Sequence, residues 1–269
     1  MSFTLVLLAG AVLAGLLGSL TGLGGGVVII PLLTLGLGVD IRYAIGAALV
    51  ASIANSSGAA AAYIRIGMFL EVATTLGAVA GALIAVYVST HVVAIIFGIV
   101  LIFSAAMSLR RHEEHSYGDG KPSVLAEKLK LNGSYPTPEG RVGYKVRNVA
   151  GGFSLMAVAG VTSGLLGIGS GALKVLAMDS AMKIPFKVST TTSNFMIGVT
   201  AAASAVVYLQ RGYIDPGIAM PIVVGVLGGA FLGSKILVRA RTKGLRILFS
   251  IVISALAVEM IYNGLTGRL

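Results

Sequence analysis

The stretch "GIGSGALKVLAM" places a single lysine, Lys174, three residues beyond a glycine cluster and inside an otherwise apolar run. A cation there gains nothing from the start of a helix, and an ionisable side chain at membrane depth marks a functional site unless it snorkels to an interface or pairs with a neighbour such as Asp179. The cluster before it, Gly169, Ser170 and Gly171, matches an earlier one at Gly24, Gly25 and Gly26 in "GLGGGVVIIP". Glycine permits a sharp turn, and a helix that restarts after one offers unpaired N–H groups to an anion. Small-residue helix packing is the plainer use of such clusters. Neutral donors follow each cluster. Ser52 and Asn55 share a helical face with Ser56, and "STTTSN" groups Thr190, Thr191 and Asn194 in the same way. Hydroxyls and amides of this kind suit anionic oxygens, although in membranes they also serve as glue between helices. Together these residues describe a binding site for a small anion, with mostly neutral contacts and one cation.

Other chemistry finds little support. Glu71 and Asp215 read as residues that flank helix starts, where capping suffices. Glu259 reads as interfacial or helix-pairing, Lys235 as snorkelling, His112 and His115 as part of a solvated charged segment, and His91 as the start of a helix. Gly167, Gly169 and Ala172 fit a dinucleotide fingerprint, but a long apolar segment precedes them and no alternation of strands and helices follows. There are no paired carboxylates, no zinc-binding helix motif and no nucleophile elbow, so nothing argues for an enzyme, and no cofactor or metal is expected. The chain has no cysteine, which excludes disulfides and thiolate chemistry.

The elements that must position these residues are membrane helices. The 269 residues are 56% hydrophobic and 11% charged, with a mean hydropathy of +0.95, more apolar than a soluble globule tolerates. The N-terminal apolar run lacks a preceding Lys or Arg and reads as a mature helix. A net charge of +10 concentrates in the polar connections, where lipid headgroups and topology account for it without nucleic acid. One long hydrophilic segment divides the chain into a first transmembrane repeat, 1–109, a cytoplasmic linker, 110–147, and a second transmembrane repeat, 148–269. An offset of 145 aligns Gly15, Leu20, Gly22, Gly24, Gly26, Ala60, Tyr63 and Gly67 with Gly160, Leu165, Gly167, Gly169, Gly171, Ala205, Tyr208 and Gly212, which points to an internal duplication. Further on, Gly77 and Gly81 resemble Gly225 and Gly229 after a small shift.

Each half is expected to contain a glycine-broken helical element and three transmembrane helices: about 3–38, 43–63, 69–88 and 91–109, then 148–182, 188–209, 214–238 and 245–265. This gives 8 to 10 membrane segments in an all-α polytopic protein. An unbroken rod over 3–38 would be roughly 54 Å long against a hydrocarbon core of about 30 Å, so the element should bend back on itself. Each half then crosses an odd number of times and the repeats are inverted. That arrangement puts Arg65, the linker charges, Lys183, Lys187, Arg239, Arg241, Lys243 and Arg246 inside and only Arg42, Arg211 and Arg268 outside, as the positive-inside rule requires.

The pair "GLLGSLTGLGGGVVIIPLL" and "GLLGIGSGALKVLAM", each followed by a small-residue and polar helix, resembles the TauE/SafE family of membrane permeases, often called sulfite exporters. The resemblance covers nearly the whole chain except the linker. Leu176 stands where many members have a proline in the second motif. The resemblance implies a multi-pass protein of a prokaryotic plasma or inner membrane that exports sulfite or organosulfonates by alternating access. A channel or carrier for another small solute and a partner-binding assembly protein are the competing functions. The expected partners are the small anionic substrate and membrane lipids, and a homo-oligomer is compatible with the sequence.

Overall fold

The computed structural model describes residues 2–21, 25–56, 64–109, 123–137, 140–237 and 242–267. Gly22, Gly24, Ala60, Tyr63, His112, His115, Arg239, Arg241 and Arg268, singled out in the sequence, lie outside the described residues.

The first half runs α1 (Ser2–Thr21), the short arm α2 (Gly26–Pro31), α3 (Ile41–Ser56), α4 (Ile64–Tyr87) and α5 (Thr90–Leu109). The second runs α7 (Val149–Leu166), the short arm α8 (Gly171–Leu176), α9 (Phe186–Gln210), α10 (Pro216–Leu237) and α11 (Thr242–Thr266). Between them, α6 (Val124–Lys128) precedes a hairpin of β1 (Gly133–Thr137) and β2 (Gly140–Tyr144). Segments in α4, α7 and α9 are long and apolar enough to cross a membrane: Ile66–Tyr87, Val149–Leu166 and Val188–Gln210. Large apolar side chains such as Leu76, Phe231 and Ile251 point outward, as lipid contact requires once every backbone group is bonded within its helix.

Packing crosses between the halves. Helix α1 lies on α10 and α7 on α4, while α3 meets α9 and α5 meets α11. Small residues make these contacts close, because without a hydrophobic driving force between helices in lipid, van der Waals packing has to hold them. A Cβ on Gly15 would strike the Val226 carbonyl, and one on Gly160 the Thr74 carbonyl. Gly77 faces the Ala157 carbonyl and the Val161 amide, and Gly229 faces the Val12 carbonyl and the Leu16 amide. Residues 12 and 16 match 157 and 161 at the offset of 145. The contacts therefore pair Gly77 with Gly229, one helical turn away from the sequence alignment of Gly77 with Gly225.

The two short arms have the same shape. Each continues into a wider π-type turn, Leu32–Gly36 or Ala177–Ala181. Val39 N–H donates to the Leu33 carbonyl and Ile184 N–H to the Met178 carbonyl, both at 2.9 Å. Gly38 and Lys183, just before those donors, have φ of 65° and 56°. Pro31 has Leu176 as its counterpart, so proline is not what shapes the arm.

Two sequence expectations change. Gly67, expected to precede a helix over 69–88, lies inside α4, where the missing side chain admits Thr192 of α9. The chain is already helical at Ile64, and Glu71 sits about two turns inside the helix instead of capping its start. The linker is more than a hydrophilic tether. Ala126, Leu131, Tyr144 and Val146 are buried in one cluster with Ile66, Leu70, Met178 and Met182. Backbone bonds from Ser123 to Val146 and from Arg147 to Met182 tie it beneath the second arm.

Candidate functional site

The two glycine breaks meet. A Cβ on Gly26 would lie 2.8 Å from the Gly167 carbonyl and 3.4 Å from Ile168 Cα, with Ala48 of α3 also adjacent. Helix α7 ends at Gly167, whose N–H donates to the Ser163 carbonyl at 2.8 Å and whose φ is 68°, a left-handed C-terminal cap that glycine adopts without strain. Gly169 is also left-handed, at 67°, and is hemmed in by Ile197. Ser170, at 43°, turns the chain into α8, and its hydroxyl donates to the Ala159 carbonyl of α7. Gly25, before α2, has an ordinary helical φ of −70°. The arms match, but the residues just before them, Gly25 and Ser170, differ in backbone conformation.

One turn into α8, Lys174 is completely buried. Its Nζ donates to Thr200 Oγ1 at 2.6 Å, and Thr200 Oγ1 lies 2.7 Å from Glu71 Oε1. That hydroxyl has one hydrogen and a second acceptor in reach, the Met196 carbonyl at 2.8 Å; the carboxylate is the stronger acceptor because it is charged. Thr75 also donates to Glu71 Oε1, at 3.1 Å, while Glu71 Oε2 is buried and has no hydrogen-bond partner among the described residues. Elements from both halves thus converge: α4 supplies the acid, α8 the base and α9 the hydroxyl between them. At the sequence offset of 145 Lys174 falls on Ile29 and Thr200 on Asn55, and the glycine contacts align Glu71 with Val223, so the charged pair has no copy at these described positions.

The remaining sequence-selected residues differ in burial and in their bonds. Gly25, Gly26, Gly169, Ser170 and Gly171 are all buried, and the Gly171 carbonyl accepts from Ser193 Oγ at 3.2 Å. Ser52 is fully buried on α3, and its hydroxyl has no partner among the described residues. Asn55, Thr190, Thr191 and Asn194 are half-buried. On α9, Ser193, Thr200, Ser204 and Tyr208 bond across to neighbouring elements, Ser204 donating to the Ala78 carbonyl of α4 and Tyr208 to the Gly164 carbonyl of α7. This stripe runs beside the Thr190, Thr191 and Asn194 group chosen from the sequence. The signal for Thr200 was its spacing of seven residues from Ser193, which places both on one helical face. For Glu71 it was the helix length: an acid two turns from the end of an apolar helix cannot be a cap.

A family model described as "Sulfite exporter TauE/SafE" matches residues 7–260. The chain belongs to the TauE/SafE family. Relatives of this TauE/SafE protein include the probable membrane transporter protein YunE of Bacillus subtilis, 26% identical over 98% of this chain and 99% of the relative. A probable membrane transporter protein of Methanocaldococcus jannaschii is 25% identical over 93% of this chain and 92% of its own length, and one from Xylella fastidiosa is 25% identical with the same coverage. No solved structure matches. The protein is accordingly a multi-pass membrane transporter of a bacterial and archaeal family, and the members of that family are transporters rather than enzymes.

Proposed function

We propose that this protein is a secondary transporter that exports small sulfur-containing anions, sulfite or organosulfonates, by alternating access of a site between the two glycine breaks. The observation that carries the reading is the buried Lys174 one turn beyond the second break, beside the contact between Gly26 and Gly167. A cation at that depth attracts an anion, and the family is named for sulfite export. The neutral donors Ser52, Asn55, Thr190, Thr191 and Asn194 then complete a site that holds an anion without locking it to several charges. Reciprocal packing of the halves and the identical ends of their short arms support inverted repeats with a cytoplasmic linker, the architecture in which two bundles rock about a central site.

The test is a thermal-shift screen of the purified protein against sulfite, sulfate, thiosulfate and methanesulfonate. A ligand of the folded state at a hundredfold excess over its Kd stabilises by about 2.7 kcal/mol, or roughly 5–10 °C for a chain of this size. One or more sulfur anions should give such a shift, and Asn194→Ala combined with Gly169→Val should remove it. A flat response to every anion contradicts the reading.

A further inference from the structure

Glu71 and Lys174 are opposite charges buried together, from different halves of the chain, with a threonine hydroxyl between them. Their charges cancel while the site is empty. An anion drawn to the ammonium upsets that balance by leaving two negative groups and one positive in a low-dielectric interior, where an uncompensated charge is expensive. Neutrality returns if the carboxylate takes up one proton. The geometry has room for it: Oε1 accepts from Thr200 and Thr75, while Oε2 makes no hydrogen bond to the described residues and can gain a proton without breaking either bond.

We propose that Glu71 is a proton-binding site coupled to the anion site through Lys174, so that one proton crosses with each anion. This rests on the anion-carrier reading above and adds the coupling ion. The step balances simply. The anion takes the ammonium's hydrogen bond from Thr200, the carboxylate becomes a carboxylic acid at Oε2, and on the far side the acid releases the same proton as the anion leaves. Thr200 is a positioning residue that keeps the two charges in communication. For a monovalent anion the pair that crosses is electroneutral, so its direction follows the anion and proton gradients and ignores the membrane potential. An anion produced inside the cell then leaves down its own gradient.

Few other groups could take the role. Helix α7 packs on α4 and contains no titratable residue. From α9 come Thr200 and, two turns on, Tyr208, whose hydroxyl donates to the Gly164 carbonyl. The turn after α8 brings the half-buried Asp179. Helix α5, which also packs on α8, has His91 only at its start, beside Gly264 of α11. Arg65 and Lys187 occupy the first turns of α4 and α9. Ile29, Asn55 and Val223 stand at the corresponding positions, so the described residues hold no second copy of the pair.

The experiment uses the purified full chain in liposomes enclosing a pH-sensitive dye. Methanesulfonate is the probe because it stays ionised throughout the working range and brings no proton of its own. With an outward methanesulfonate gradient, the wild type should alkalinise the lumen by one proton per anion, at a rate unaffected by a potassium diffusion potential. Glu71→Gln strands the ammonium that Glu71 neutralises, so its net efflux should fall roughly tenfold or more below that of the wild type. Wild-type efflux without a pH change overturns the proposal, and so does proton-coupled net efflux of wild-type rate by Glu71→Gln. If that variant does not fold, the wild-type stoichiometry and its response to potential decide alone. A wild type that moves no methanesulfonate under any gradient overturns the underlying anion-carrier reading instead.

Discussion

Removing either buried charge alone should destabilise the protein with opposite pH dependences, and removing both should not. In Lys174→Met the Glu71 carboxylate loses its cation; the least costly response is to take up a proton. From an ordinary glutamate pKa of about 4.3, that costs about 3.7 kcal/mol at pH 7 and about 1.6 kcal/mol at pH 5.5. In Glu71→Leu the stranded ammonium gives up its proton instead, at about 4.6 kcal/mol at pH 7 and about 2.6 kcal/mol at pH 8.5 from an ordinary lysine pKa of about 10.4. These are ceilings, because water that reaches the charge lowers them. The signs follow from proton linkage. The folded Lys174→Met protein holds a proton that the unfolded chain has lost, so its deficit grows as pH rises; folded Glu71→Leu lacks one that the unfolded chain keeps, so its deficit shrinks. The double variant replaces an ion pair with apolar side chains of similar length, an exchange that is often neutral or stabilising. Thermal unfolding in detergent between pH 5.5 and 8.5 measures all three. At pH 7 each single change should lower Tm by up to roughly 7–18 °C, at about 2–4 °C per kcal/mol. Parallel pH slopes in the two single variants, or a double variant less stable than either, would refute the reasoning.

Other consequences concern packing and unpaired groups. Gly164→Leu drives a side chain into the Ala78 carbonyl and the Ala82 amide and should abolish folded protein in size-exclusion chromatography, whereas Gly228→Leu, with nothing within 4 Å of its Cβ position, should be silent. Gly167→Ala combines a φ of 68° with contact on Ile45 and should cost about 1–3 kcal/mol, read as a fall in Tm. Ser52→Ala removes a buried hydroxyl that lacks a partner among the described residues; it should leave Tm unchanged or raised while weakening the shift produced by bound anion.

The helices were legible in the sequence because apolar runs of membrane length and glycine punctuation leave few alternatives. The second broken element appears at the expected glycines, and α5 occupies 90–109 against an expectation of 91–109. What a linear reading could not see was contact between distant segments. Glu71 looked like a cap because its helix was expected to start near 69, and the approach of Thr192 explains why a glycine stands inside α4. Thr200 is one of many hydroxyls on α9 until Lys174 and Glu71 are found on either side of it. The linker's charges concealed Leu131, Tyr144 and Val146, whose burial beneath the second arm depends on a hairpin too short to register in hydropathy. Leu176 stands where the first arm has Pro31, yet the matching bonds to the Leu33 and Met178 carbonyls show that the backbone closes both arms in the same way.

The most direct test of the account is counterflow of labelled methanesulfonate into liposomes loaded with the unlabelled anion, comparing the wild type with the stably folded Lys174→Met, Glu71→Leu double variant. The wild type should accumulate label transiently above equilibrium and the double variant should not. Counterflow of wild-type size in the double variant would contradict the claim that the anion crosses beside Lys174.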